Sequence, residues 1–235
     1  MTDRLGGAVG RRPLHLVLVL DLSGSMRRGG RIQALNTALR EVLPRLRDEA
    51  RANPHTRLLV RVLGFATQPW WVLATPTPVE ELTWQPLEAV PQGLTELGSA
   101  LVLLADAMAD LDAEAASGHG AYPPAIVLVS DGRPTATTGT DVATGMARLL
   151  ATRAGAGAVR LALGVGRDAD LPSLRRFIGD DEVPVLRADN PEQLVECMAW
   201  ASRAASRGAS MPALTSTGIS VLPPELTGED VWGSA

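Results

Sequence analysis

Three runs of this 235-residue sequence are apolar at consecutive positions: LHLVLVLD (14–21), PAIVLVSDG (124–132) and VRLALGVG (159–166). A strand with one wet face alternates apolar and polar residues, so strands like these must be covered on both faces. That is the situation of a parallel sheet buried between layers of helix, and helical patterns do stand between the runs. RIQALNTALREVLPRLRDEA (31–50) sets Ile32, Leu35, Leu39, Val42, Leu43 and Leu46 on one stripe, and Pro44 is expected to kink it or start a new turn. TRLLVRVLGFA (56–66) and WWVLATPTPV (70–79) read as two strands of an antiparallel hairpin at a sheet edge. LTELGSALVLLADAMADLDAEAA (94–116) is a long helix with Leu97, Leu101, Leu104, Met108 and Leu111 inward. DVATGMARLLATRAG and LPSLRRFIG are helical, VPVLRA (183–188) is a last strand, and PEQLVECMAWASRAAS is a closing helix with Pro191 in its first turn. The order β-α-β-β-α-β-α-β-α-β-α predicts an α/β fold: an open, doubly wound, mostly parallel six-stranded sheet flanked by helices, Rossmann-like in plan.

The expected organisation is an N-terminal arm (1–12), one domain (13–206) and a Ser/Pro-rich tail (207–235) holding the short apolar stretch GISVL and Trp232. All 22 basic residues are arginine, which excludes a P-loop lysine, a Schiff-base lysine and a lysine base. The net charge of −4 leaves no cation surplus for phosphates and argues against nucleic acid. The single cysteine, Cys197, allows no disulfide within the chain and reads as a core residue; His15, His55 and His119 are too scattered to give a Cys/His zinc spacing. GRRPLHLVLVL resembles a signal sequence, but its apolar run is short, meets Asp21 and leads to no A-x-A site. No segment has the roughly 18 apolar residues of a membrane span. A soluble cytoplasmic protein that meets neither membrane nor nucleic acid is expected.

The first buried run ends abruptly in DLSGSM. Ligands of open α/β sheets bind outside the carboxyl ends of the strands, where strand order reverses, so Asp21, Ser23 and Ser25 fall where such a site belongs. Thr95 stands at the entrance to the long second helix, and Asp131 follows the strand VLVS. The set is two carboxylates and three hydroxyls, oxygen only, which suits a hard cation: Mg²⁺, with Mn²⁺ as a substitute. Two aspartates balance the ion's charge, and an open position is left for an outside ligand.

D-L-S-G-S (21–25), T-E-L-G-S-A-L (95–101) and S-D-G (130–132) resemble the three segments of the metal-ion-dependent adhesion site of von Willebrand factor A (VWA) domains. The resemblance covers about residues 13–205. It implies that Ser23, Ser25 and Thr95 contact the metal directly, that Asp21 and Asp131 act directly or through water, and that a partner's Asp or Glu completes the octahedron. Leu94 departs from the pattern, since many members have a second glycine before the threonine. A-L-N-T-A-L (34–39), S-D-G-R-P-T (130–135) and the tail are most similar to the bacterial TerY-like branch. That branch implies a tellurite-resistance, stress or defence setting beside a protein phosphatase and a kinase.

Plainer readings compete at each position. Asp21, Ser23 and Ser25 also suit a turn and helix cap, Thr95 an N-cap, and Asp131-Gly132 a turn, although an ionised aspartate closing a buried strand needs a partner. Of Trp70 and Trp71, one ring is expected in the core and one at the edge. Arginines 11–12, 27–28 and 175–176 read as solvated surface, with Arg27 and Arg28 placed to steer acidic partners. The rivals to a metal-dependent binding module are an adaptor for an AAA+ ATPase and an Mg²⁺-dependent phosphatase with Asp21 as nucleophile. Haloacid-dehalogenase-like phosphatases carry a second Asp two residues on, where this chain has Ser23.

Overall fold

A computed structural model describes residues 11–131, 139–190 and 192–199. The expected N-terminal arm up to residue 10, the tail from 207, and Gly132 and Arg133 lie outside the described residues. The chain runs β1 (Arg12–Asp21), a 3-10 stretch (Gly24–Gly30), α1 (Arg31–Ala52), β2 (Thr56–Phe65), β3 (Pro69–Pro78), α2 (Leu97–Ala116), β4 (Ala125–Ser130), α3 (Val142–Ala151), α4 (Arg153–Ala156), β5 (Val159–Val165), α5 (Leu171–Ile178) and β6 (Leu186–Ala188). Residues 192–199 are helical again.

The sheet has six strands in the order β3-β2-β1-β4-β5-β6. Every neighbouring pair is parallel except β2 and β3, which form the antiparallel edge hairpin. β1 is buried without interruption from Leu14 to Asp21, and all of β4 is buried, which requires cover on both faces. Strand order turns at the β1–β4 junction, with Leu20 beside Val129 in the register, so Asp21 and Asp131 emerge side by side at one sheet edge.

The stripe anticipated on α1 is buried as expected, at Ile32, Leu35, Leu39, Val42, Leu43 and Leu46. The helix runs through Pro44 as one element. Pro44 and Arg40, the residue whose carbonyl loses its amide partner, both lie on the exposed side, where water can take the unpaired oxygen. The inward residues of α2 are likewise buried. β6 is shorter than the expected 183–188 because Pro184 has no N–H to give to a ladder, and pairing with β5 begins at Leu186. Trp71 packs against the core with the Arg61 guanidinium 4.1 Å from its ring centre, while Trp70 is 37% exposed. Cys197 is buried, and burial pushes its thiol up to about 12.

α2 and α3 approach through paired glycines. A Cβ on Gly145 would sit 2.5 Å from the Gly98 carbonyl oxygen, and one on Gly98 would sit 2.0 Å from that of Thr140. Neither position has room for a side chain.

Candidate metal site at the carboxyl edge of the sheet

Asp21 is the last residue of β1 and is fully buried. Its Oδ1 accepts from the Ser23 amide at 2.9 Å, and its Oδ2 accepts from the Ser130 hydroxyl at 2.5 Å. These bonds favour the charged form, yet burial outweighs them and, with Asp131 nearby, lifts the carboxyl to about 6. Two residues on, the Ser23 and Ser25 hydroxyls lie 2.9 Å apart, Ser23 buried and Ser25 half-buried. An extended residue at 23 (φ −66°, ψ 169°) ahead of the 3-10 stretch lets both hydroxyls turn the same way. The Asp21-Ser23-Ser25 arrangement is therefore a compact oxygen cluster, more than a helix cap: no side chain caps either the 3-10 stretch or α1.

Thr95 arrives on the loop before α2. That loop is fastened to the serine loop by Gly24 N–H donating to the Gly93 carbonyl at 3.0 Å, and to the end of β2 by Glu96 N–H donating to the Ala66 carbonyl at 3.0 Å. A Cβ on Gly24 would lie 3.2 Å from the Gln92 nitrogen, so the approach of the two loops depends on that glycine. Leu94, the departure from the family pattern, gives its N–H to the Thr67 hydroxyl at 3.1 Å. Thr95 is buried and does not cap α2: the residue at the cap position is Glu96, with no capping bond from its side chain.

Asp131 follows β4 and is buried, with its main-chain oxygen accepting from Asp170 N–H at 2.8 Å. The expected partner for its charge is Arg31, whose Nη1 donates to Asp131 Oδ2 at 2.9 Å. The other terminal nitrogen of Arg31 donates to Asp168 in the turn after β5. Arg31 and Asp168 carry no sign of this role in the sequence, standing 137 residues apart. Glu96 was also missed. It is buried, its Oε1 has no hydrogen-bond partner, and a Cβ on Gly139 would come 2.2 Å from its Oε2. Arg27 and Arg28 are exposed, as expected of solvated surface. In the turn after β5, Gly166 (φ 91°) makes room for the Arg31 side chain.

The residues present fit a hard cation. Buried Asp21 has hydroxyl and amide neighbours, and burial raises its carboxyl despite them, as expected of a charge that is poorly compensated. Among the described residues no three His, Cys, Asp or Glu side chains gather closely enough to hold a metal alone. A divalent ion held here would draw on hydroxyl oxygens and water beside the carboxylates.

The comparisons with known proteins bear on the family and the fold. The model of the von Willebrand factor type A domain matches residues 16–133, a span that holds all of Asp21, Ser23, Ser25, Thr95 and Asp131. No curated protein matches the sequence. Among solved structures, the von Willebrand factor type A protein of Catenulispora acidiphila is 16% identical, over 83% of this chain and 43% of its own, with a TM-score of 0.61. Proximal thread matrix protein 1 of the mussel byssus, with a zinc-occupied MIDAS motif, is 13% identical over 83% of this chain and 48% of its own (TM-score 0.56). BatB of Bacteroides thetaiotaomicron is 16% identical, over 83% of this chain and 99% of its own (TM-score 0.53). The chain spans less than half the length of the first two, and likeness at these identities speaks for the fold alone. With half its length matched by the family model and its sheet order that of the fold, the chain belongs to the von Willebrand factor type A domain family.

Proposed function

We propose that this chain is a non-enzymatic protein-binding module in which Asp21, Ser23, Ser25, Thr95 and Asp131 hold Mg²⁺, or Mn²⁺ in its place. A bound divalent ion supplies a Lewis-acidic position that accepts an Asp or Glu carboxylate from a partner protein. The observation that carries this reading is the buried Asp21 carboxylate, raised to about 6 and facing the paired Ser23 and Ser25 hydroxyls. A charge that costly to bury is retained where a cation repays it. The zinc-occupied MIDAS of the byssus protein supports the same use of the fold.

The roles follow from chemistry. Ser23 and Ser25 provide neutral oxygens that add no charge to the shell. Asp21 and Asp131 neutralise the ion, directly or through water. Thr95 supplies the oxygen from the opposite loop. The finer reading is a TerY-like protein of a bacterial tellurite-resistance, stress or defence system that works beside a protein phosphatase and a kinase. An adaptor role for an AAA+ ATPase is the alternative. A phosphatase reading is weaker: the position of the second aspartate is a serine, already engaged with Ser25.

The test is thermal unfolding in EDTA, Mg²⁺ and Mn²⁺ for the wild type and Ser23→Ala. An ion at a hundred times its dissociation constant stabilises the fold by about 2.7 kcal/mol, or about 5–10 °C for a chain of this size. The wild type is expected to shift and the variant not. Equal shifts in both proteins, or none in either, would remove the metal from this site.

A further inference from the structure

Arg31 is the first residue of α1, preceded by two left-handed glycines, Gly29 (φ 56°) and Gly30 (φ 74°). Its guanidinium binds Asp131 after β4 and Asp168 after β5, so one side chain joins three loops at the edge of the sheet. The socket is shaped for it. A Cβ on Gly166 would lie 2.9 Å from both Nε and Nη2, and the φ of 91° at Gly166 is one that side chains rarely adopt. The Gly166 amide is anchored by the Ala188 carbonyl at 2.9 Å, and the Asp170 amide holds the Asp131 carbonyl. The Arg31 side chain is 13% exposed and that of Asp131 1%, whereas Asp168 is 46% exposed. Arg31 thus faces a buried anion on one side and a solvated one on the other.

We propose that Arg31 is a resident counter-cation that weakens divalent metal binding at the adjacent site, so that firm occupancy depends on an acidic partner. This rests on the metal reading above and deepens it. With Oδ2 committed to Arg31, the guanidinium competes with a metal ion for the charge of Asp131. The permanent positive charge also repels the incoming ion. Asp168 is 46% exposed, and an ion pair on the solvated side offsets only part of that charge near Asp131. Of the other charged groups at this edge, Asp21 is a proposed ligand, buried Glu96 borders the Thr95 loop, and Arg27 and Arg28 are exposed to solvent. A carboxylate arriving from a partner offsets the repulsion between the ion and Arg31. Metal and partner then strengthen each other's binding, as linkage requires.

Direct Mn²⁺ titration followed by electron paramagnetic resonance of the free ion tests this without a partner. Arg31→Gln is expected to bind Mn²⁺ about tenfold more tightly than the wild type, the scale for one charge removed near a divalent ion in a water-like dielectric. Arg31→Lys keeps the charge and is expected to stay within about threefold of the wild type. Asp168→Asn, on the solvated side, leaves the guanidinium wholly to Asp131 and is expected to weaken binding about threefold. The opposed signs keep the test decisive even if Arg31→Gln fails to fold. If Arg31→Gln binds Mn²⁺ no better than the wild type, or Asp168→Asn binds it better, Arg31 is an orienting residue and this inference is overturned. Failure of the metal reading looks different: Ser23→Ala then binds as the wild type does, or neither the wild type nor Arg31→Gln binds at all.

Discussion

Replacing Asp21 by asparagine is expected to make the metal-free protein more stable while removing its response to metal. The carboxyl is raised from 3.8 to about 6 in the fold. A raised carboxylate value means that the folded state binds more protons than the unfolded one between those limits. Stability therefore falls as pH rises through that window, and above it the whole penalty is present. At 1.36 kcal/mol per pH unit the penalty at pH 7.5 is about 3 kcal/mol. That value already contains the favourable bonds from Ser23 and Ser130, so it is the net cost of the charge. Asparagine keeps the geometry: its oxygen accepts from the Ser23 amide, and its NH₂ donates to the Ser130 hydroxyl, which turns to accept. In EDTA at pH 7.5, Asp21→Asn should therefore melt about 6–12 °C above the wild type. The gap should close to under about 1 kcal/mol near pH 4, where the wild-type carboxyl is protonated in the fold. Other titrating groups are common to both proteins and cancel in the difference. Mg²⁺ at millimolar concentration should raise the wild type alone. The assay is paired thermal unfolding across pH 4–8 with and without metal. A variant less stable than the wild type at pH 7.5, or a gap that does not change with pH, would refute the argument that Asp21 is a buried, uncompensated charge.

Three further outcomes follow from the same structure. His15 is buried beside Arg61, and burial first, then that guanidinium, lowers its ring to about 4 from 6.5. The unfolded state then binds more protons between those values, so stability is complete above pH 6.5 and falls by about 3 kcal/mol as pH drops to 4; His15→Leu should flatten that limb in an acid-unfolding series. Gly98→Ala would place a methyl 2.0 Å from the Thr140 carbonyl oxygen, and urea unfolding should register a loss of at least about 3 kcal/mol. Asn36 accepts from Leu87 N–H at 2.7 Å and donates to the Leu87 carbonyl at 2.8 Å; Asn36→Ala should cost about 1–3 kcal/mol without altering the metal-induced shift.

The layered plan was legible because burial on two faces leaves a mark that no turn or single helix leaves. β1 and β4 are apolar residue after residue, and the carboxylates that end them stand out against that run. The helix stripes on α1 and α2 were equally readable, as their inward residues are all buried. Arg31 could not be read. Its meaning lies in Asp131, 100 residues away, and in a glycine after β5 whose value is empty space. Nothing in the sequence marks Glu96 for burial; it packs where Gly139 leaves no room for a Cβ across the loop. Asn36 illustrates the converse. It was read as part of a family-like hexapeptide, and the structure adds that its side chain clasps the backbone at Leu87, in the long segment between β3 and α2. Local pattern reports local burial; pairings made across the chain become visible only once the sheet brings the loops together.

The central placement of β1 and β4 has a consequence for how occupancy would be communicated. Leu16–Leu20 are flanked by a strand on each side and covered on both faces, so their amides exchange with solvent only when the domain opens as a whole. Asp21 ends the first of these two strands and Asp131 directly follows the second. An ion bound there draws on the strongest part of the molecule, so its free energy would slow hydrogen exchange throughout the sheet interior. The exposed edge strand β3, which can fray by itself, would be protected less. Loading at one rim would thus be recorded as a gradient of exchange across the sheet, deepest at its middle.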